Sequence, residues 1–483
     1  MEKFDKQAID QQVRDGLPFK HHWHNRFHLE MPVGLINDPN GMTYLDGVYH
    51  IFYQWNPYGP VHKNKSWAHT TTKDFIHYSY PELSLNPTDV HDKDGCYSGC
   101  GLVENGEVRI LYTCNSKDEN NVRIPAQRFG TLMNDGIVRK DSIIVEKNPE
   151  GITGHFRDPN IFYDHGSRYF VLGAQRENET GTVLIYSEDN DKNWNLLGEL
   201  KTELVDFGYM WECPGLIRFG DYDALIFCPQ GLKEEEYQYQ NLYQAGYIVG
   251  HVSLDSMEMI HGKFQELDKG FDFYAPQAFS QCGRKILLGW MGMPDKDSEY
   301  PTGEVTDATP WRYSLTLPRV LSLYQGHIYS QPVDELKALR KNHLDIDANA
   351  NNRVESNLFE GTEIDLNIEF GSAEKITLAL EYDSEKVCLE YDRSKQVFMI
   401  DRNGMKLGGK GQRKFKLFAD KNLELKMFVD KTAIEIFLQN GMEAASFFVF
   451  PEKDVIPKMV LQSDQNFDRV SGKIFELGSF IFE

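Results

Sequence analysis

No apolar run in this sequence approaches the roughly 20 residues that a membrane-spanning helix needs, and the stretch Met1 to Arg14 is charged where a secretory signal carries its apolar core. A cytoplasmic protein with no membrane partner is the expectation. Cysteine is sparse and odd in number, seven in 483 residues, which argues against a disulfide framework and for reduced thiols. The one close pair, Cys96 and Cys100, has no second pair near it, so the ligand spacing of a zinc site is missing, and His21, His22, His24 and His28 are expected to pack instead of ligate. Neither a metal nor a cofactor is expected. Positive charge is scarce too. Lys and Arg total 51 against 73 Asp and Glu, and the net charge of −22 disfavours nucleic acid or an anionic surface as partner. A phosphorylated substrate would therefore need a local basic patch. Low-complexity tracts are absent, and the residues present, 41% hydrophobic with Tyr and Phe far outnumbering Trp, suit a β-rich globular enzyme. The length predicts two domains.

The stretch Gly34-Leu35-Ile36-Asn37-Asp38-Pro39-Asn40-Gly41 organises the rest of the chain. It ends in a strong turn signal and is followed by the apolar strand Tyr49-His50-Ile51-Phe52-Tyr53. On its own it is ordinary loop punctuation, but the arrangement recurs. Asp158-Pro159-Asn160 precedes Tyr169-Phe170-Val171-Leu172, Glu212-Cys213-Pro214 precedes Ala224-Leu225-Ile226-Phe227, and Tyr274-Ala275-Pro276 precedes Ile286-Leu287-Leu288. A looser copy without proline is Tyr97-Ser98-Gly99, before Ile110-Leu111-Tyr112. The copies recur about every 55 to 60 residues, the signature of a propeller, here with five blades. Proline near the start of four of the copies fits an innermost strand, which has no partner on one side. Equivalent positions, read as Asp38, Ser98, Asp158, Glu212 and Tyr274, then converge on the axis, so three acids far apart in sequence meet in one funnel.

Taken in order, residues 1–25 form an N-terminal arm with a short helix ending before Pro18, and residues 26–331 the five-bladed β-propeller. Residues 332–350 read as a linker helix, from a proline followed by good helix formers. Alternating strands over 351–483 then predict a β-sandwich, a packing or homo-oligomerisation module with no catalytic cluster of its own. The expected fold is all-β, propeller followed by sandwich.

Hydrolysis of a glycosidic bond needs one carboxyl to protonate the leaving oxygen and another to attack the anomeric carbon or activate water. Crowded acids cannot all ionise easily, so one is expected with a raised pKa. Aromatics near the same strand ends, Trp55, Trp67, Tyr97, Tyr274, Trp290 and Trp311, are candidates to stack on a sugar or to fill the core.

Together, Gly34 to Gly41, Phe156-Arg157-Asp158-Pro159 and Glu212-Cys213-Pro214 resemble the motifs of glycoside hydrolase family 32, the invertase and fructan hydrolase family. Phe52-Tyr53-Gln54, Trp67-Ala68-His69, Tyr97-Ser98-Gly99 and Gly289-Trp290-Met291 add to the resemblance, which spans nearly the whole chain. It implies a retaining mechanism without a metal, with Asp38 as nucleophile, Glu212 as general acid/base and Asp158 as the residue holding sugar hydroxyls. It also implies a fructose subsite lined by Asn37, Gln54, Trp67, Ser98, Arg157 and Trp290. Leu35-Ile36 replaces the Trp-Met of many members, which is similar to the intracellular bacterial sucrose-6-phosphate hydrolases of the family. Ala68 stands where a glycine usually follows the motif's tryptophan. The substrate expected is a terminal β-D-fructofuranoside, sucrose 6-phosphate or sucrose, with a fructan hydrolase, a related arabinosidase and a non-catalytic sugar-binding propeller left open. His62, Lys63 and Lys65, between Gln54 and Trp67, are the candidate phosphate-binding residues, with a solvated surface loop as the alternative reading.

Overall fold

Each of the five repeats folds into a radial antiparallel sheet in a computed structural model that describes residues 5–295 and 310–483. From the axis outward, the first blade runs Gly34–Leu45, Val48–Asn56, Ser66–Thr72 and His77–Tyr78, and the second Cys96–Glu104, Glu107–Lys117, Arg123–Leu132 and Val138–Val145. The third runs Ile152–Asp164, Ser167–Arg176, Gly181–Glu188 and Trp194–Glu199, and the fourth Met210–Phe219, Tyr222–Gln230, Gly246–Ser253 and Glu258–His261. Tyr274–Gln281, Arg284–Met291, Arg319–Tyr324 and His327–Pro332 complete the fifth. The fold is a five-bladed β-propeller followed by a β-sandwich. A short latch closes the ring: Trp311–Arg312 pairs with the innermost strand of the first blade, and Ser314–Leu315 with Arg284–Met291, the second strand of the fifth.

The innermost strands share one irregularity that aims the site residues. In the first blade Ile36 faces Trp55 and Pro39 faces Tyr53, so two residues, Asn37 and Asp38, lie opposite the single Gln54. The same two-against-one slip falls at Tyr97-Ser98, Asp158-Pro159, Cys213-Pro214 and Ala275-Pro276. These are β-bulges, which bend a strand and re-aim a side chain. Proline fits there because a bulge residue need not donate to the ladder. The bulges also correct the equivalence expected from the sequence. Asp38 and Ser98 are second in their bulges, Asp158 is first, and Glu212 and Tyr274 stand just before theirs.

At the N-terminal end, Lys6–Gly16 is an α-helix capped by Asp5, whose carboxylate accepts from Ala8 N at 3.1 Å. Its buried Ile9 and Val13 face the first blade, and Asp10 accepts from Leu83 N at 2.8 Å, tying the helix to that blade's outer strand Glu82–Leu85. Residues 1–4 of the expected arm lie outside the described residues. The connector departs from the helix expected over 332–350. Only Asp334–Leu339 is helical, as a 3-10 turn, and Arg340–Asn349 is already the first strand of the sandwich. Leu336 and Leu339, three residues apart, are buried on one side of that turn, which reproduces a helical spacing for a single turn only. The sandwich packs two six-stranded sheets, with Arg340–Asn349 at the edge of one and Arg353–Asn357 at the edge of the other. The chain ends back on the propeller, where Ile481–Phe482 pairs with His77–Tyr78.

Candidate active site

The bulged ends of the innermost strands open into a cavity of about 580 Å³, lined by Asp38, Asp158 and Glu212 from the first, third and fourth blades. A second cavity of about 540 Å³ lies at the opposite ends of the same strands, but its charged pair, Arg218 and Asp223, is satisfied internally at 3.1 Å. The chemistry concentrates at the bulged end.

Asp38 is held on both oxygens. Asn37 Nδ2 donates to Oδ1 at 2.9 Å and the Ser98 hydroxyl donates to Oδ2. Ser98 is fixed in turn by Gln54 Nε2 at 3.0 Å, and Gln54 Oε1 accepts from Asn37. Each link of this ring comes from a bulge or from the residue facing one, so the bulge geometry orients Asp38.

Asp158 is 5% exposed and sits at φ +67°, a left-handed conformation uncommon for any residue but glycine. Thr113 Oγ1 accepts its backbone N–H at 3.0 Å, and its Oδ2 accepts from Cys213 N, itself at φ +49°, at 3.0 Å. Burial pushes the Asp158 carboxyl up to about 7, opposed by Arg157 and reinforced by the charges of Glu212 and Asp38.

Glu212 is the most heavily hydrogen-bonded of the three. Its Oε1 accepts from Arg157 Nη2 at 2.6 Å and Nε at 3.0 Å, and its Oε2 from Tyr274 Oη at 2.6 Å and Gln230 Nε2 at 2.7 Å. Burial works against its charge, but Arg157 and the bonds from Tyr274 outweigh it and hold the carboxyl below the usual range. The raised carboxyl is therefore Asp158. Beyond Arg157, His155 Nδ1 lies 3.0 Å from Nη1, and burial together with Arg157 and Arg123 pushes His155 down to about 4.

The family model for the N-terminal domain of glycosyl hydrolases family 32 matches residues 28–332, and that for its C-terminal domain matches residues 335–472. The chain belongs to glycosyl hydrolases family 32. A sucrose-6-phosphate hydrolase of Bacillus subtilis is 37% identical over 439 residues, covering 88% of this chain and 89% of its relative. One of Vibrio alginolyticus is 36% identical over 461 residues, 92% of this chain and 89% of its relative. Among solved structures, a sucrose-6-phosphate hydrolase of Lactobacillus gasseri superposes with a TM-score of 0.88 at 30% identity, covering 99% of this chain and 98% of the other. A family 32 β-fructofuranosidase of Bombyx mori gives 0.86 at 26% identity, with all of both chains covered.

Within this family 32 cavity the structure gathers most of the residues singled out from the sequence. Asn37, Gln54, Tyr97, Ser98, Arg157, Tyr274 and Trp290 line it with the three acids, as do His62, Lys63 and Lys65. Trp67 does not. It is wholly buried between Phe52 and Tyr112, with ring centroids 6.1 and 6.0 Å away, and serves the core where a fructose contact was expected. Trp55 and Trp311 are core as well, Trp55 donating to Val33 O at 2.9 Å and Trp311 stacking on His24. Lys65 is engaged, donating to Asn37 Oδ1 at 3.0 Å with His62 Nε2 at 2.8 Å, and His62 stacks on Trp290. Sequence reading missed Lys93, Lys117, Arg123, His155, Gln230 and Tyr243, all of which line the cavity. Gln230 lies at the end of the strand paired with Glu212's, as Gln54 lies in the strand paired with Asp38's.

Proposed function

We propose that this chain hydrolyses terminal β-D-fructofuranosides, with sucrose 6-phosphate and sucrose as substrates, by double displacement. One observation carries the reading: three carboxylates from three blades share one cavity, each in a different electrostatic setting. Asp38, oriented by Asn37 and Ser98, is the nucleophile that attacks the anomeric carbon of the fructosyl unit. Glu212 gives its proton to the leaving glycosidic oxygen, then takes one from the water that attacks the same carbon and releases Asp38. Asp158 holds fructosyl hydroxyls. Arg157 holds the Glu212 carboxyl below the usual range. A sugar whose hydroxyls draw Arg157 away would remove that restraint and raise the proton affinity of Glu212 as the substrate seats.

The relatives of Bacillus subtilis, Vibrio alginolyticus and Lactobacillus gasseri named sucrose-6-phosphate hydrolase support the phosphorylated substrate. So does charge. In a chain of net charge −22 the cavity presents six Lys and Arg against five Asp and Glu. Because a sugar phosphate does not pass a membrane unaided, the cytoplasm is the compartment this reading assigns. Among the described residues no helix is long and apolar enough to cross a membrane.

A panel of sucrose, sucrose 6-phosphate, inulin and levan, followed by early-time NMR, tests the reading. Reducing sugar should appear from sucrose 6-phosphate first, as β-fructofuranose before mutarotation. Initial α product would remove Asp38 from the nucleophile's role, and no product from any fructoside would leave a sugar-binding propeller.

A further inference from the structure

Apart from Arg157, which is bound to Glu212, and Lys93, the cations of the cavity fall into two groups. His62, Lys63 and Lys65 belong to the first blade, on the side of Asp38. Lys65 is spent there, because its Nζ already donates to Asn37, the residue that orients the Asp38 carboxylate. Lys117 and Arg123 face each other across the hairpin of the second blade, where Glu107–Lys117 pairs with Arg123–Leu132. Arg123 lies over the face of Tyr97, 5.4 Å from the ring centroid. It also abuts the third blade: a Cβ on Gly154, next to His155, would come within 3.2 Å of Arg123 Cβ. From there the chain of contacts runs through His155 and Arg157 to Glu212. Among the described residues, no carboxylate lies within ion-pair distance of the Arg123 or Lys117 side chain, although acids outnumber bases in the chain.

Stereochemistry decides between the groups. In a double displacement the nucleophile and the leaving group stand on opposite faces of the anomeric carbon, and the proton donor stands with the leaving group. A phosphate on the glucosyl unit departs with that unit, so it belongs on the Glu212 side, away from Lys65. We propose, resting on the function read above, that Arg123 and Lys117 hold the phosphate of the leaving sugar and set the preference for sucrose 6-phosphate over sucrose. A planar guanidinium stacked on Tyr97 presents paired N–H donors to phosphate oxygens, and the lysine adds a point charge.

The test measures kcat/KM for both sugars in the wild type and in Arg123→Gln, Lys117→Met and Lys63→Met, with glucose 6-phosphate and glucose binding followed by calorimetry. Arg123→Gln and Lys117→Met should each lower the ratio of sucrose 6-phosphate to sucrose kcat/KM by about tenfold or more, and weaken glucose 6-phosphate binding in parallel. Lys63→Met should leave the ratio within about twofold. Should Arg123→Gln fold poorly, Arg123→Lys, which keeps the charge and loses the fork, is expected to recover part of the ratio. A ratio that falls with Lys63→Met and not with the hairpin variants overturns the assignment, as does a wild type that cleaves both sugars equally. If no fructoside is cleaved yet glucose 6-phosphate binds in an Arg123-dependent way, the hydrolytic reading fails and the phosphate site stands.

Discussion

At the scale of single residues, the three acids of the cavity are distinguished by their neighbours more than by their identity. Replacing Asp38 or Glu212 with alanine should lower turnover by orders of magnitude with the fold intact, but the two losses should differ in kind. On the role proposed for Glu212, its loss leaves the leaving oxygen unprotonated, so a fructoside with an activated aryl leaving group should suffer far less than sucrose. Equal losses on both substrates would remove Glu212 from proton transfer. Asp158 supports a second test, of stability. Its carboxyl titrates at about 7 in the folded protein and at about 4 when unfolded. The stability it contributes is thus fully present below about pH 4 and lost as the pH rises through 7. Asp158→Asn removes that loss, so at pH 8 its melting temperature should exceed the wild type's while activity falls; an unchanged or lower melting temperature would contradict the burial cost read from the structure. That these acids meet was legible in the sequence because each stands in a motif that recurs about every 55 to 60 residues. Their electrostatic order was not, since it depends on Arg157, Tyr274 and Gln230, which local patterning does not place around one carboxylate.

At the scale of elements, the repeat count could be read and the register could not. Prolines at 39, 159, 214 and 276 mark the bulges of four innermost strands, yet the side chains that reach the cavity come from three different positions around those bulges. A two-against-one slip turns the following residues to the other face of the sheet, and no alternation pattern in the sequence announces where it falls. The connector was misread for a related reason. Arg340–Asn349 is a sheet-edge strand with mostly exposed, mostly polar side chains, a composition that protects an edge from further pairing and looks like a polar linker. Close approach between blades is a tighter constraint, clearest at Gly101. A Cβ there would lie 2.2 Å from Gly41 O and 2.6 Å from Thr43 Cγ2, because the innermost strands of the first two blades touch at that point. Gly101→Ala should destabilise the protein by roughly 1–3 kcal/mol through overpacking. Urea denaturation would measure this, and a variant as stable as the wild type would mean that the two strands separate at little cost.

On the scale of the whole molecule, propeller and sandwich share one apolar core, in which Phe428, Phe437, Phe448 and Phe450 of the sandwich join Phe273, Leu315 and Leu317 of the propeller. Buried charge crosses the same interface. Arg319, at 0% exposure, donates to Glu435 Oε2 from Nε and to Asp268 Oδ2 from Nη1, each at 3.0 Å. His28, before the first blade, meets Asp430 Oδ2 at 2.8 Å through Nδ1 and Glu435 Oε1 at 3.1 Å through Nε2. Burial alone would lower the His28 pKa, but its bonds to Asp430 and Glu435 reverse the shift and carry it up to about 9. A histidine raised in the folded state from about 6.5 contributes stability that is fully present below the unfolded value and is lost as the pH rises through the folded one. The window is therefore about pH 6.5 to 9, and the shift corresponds to about 3 kcal/mol at its acid end. Removing one partner from a buried charged network leaves the others uncompensated, so His28→Gln should be markedly less stable at pH 6. As the pH rises toward 9.5 the gap between variant and wild type should narrow, because the wild type loses the same proton that the glutamine never carried. Unfolding free energies at pH 6, 8 and 9.5 provide the comparison. A gap that stays constant over that range would show that His28 is neutral in the folded protein and that its charge contributes nothing to the contact between propeller and sandwich.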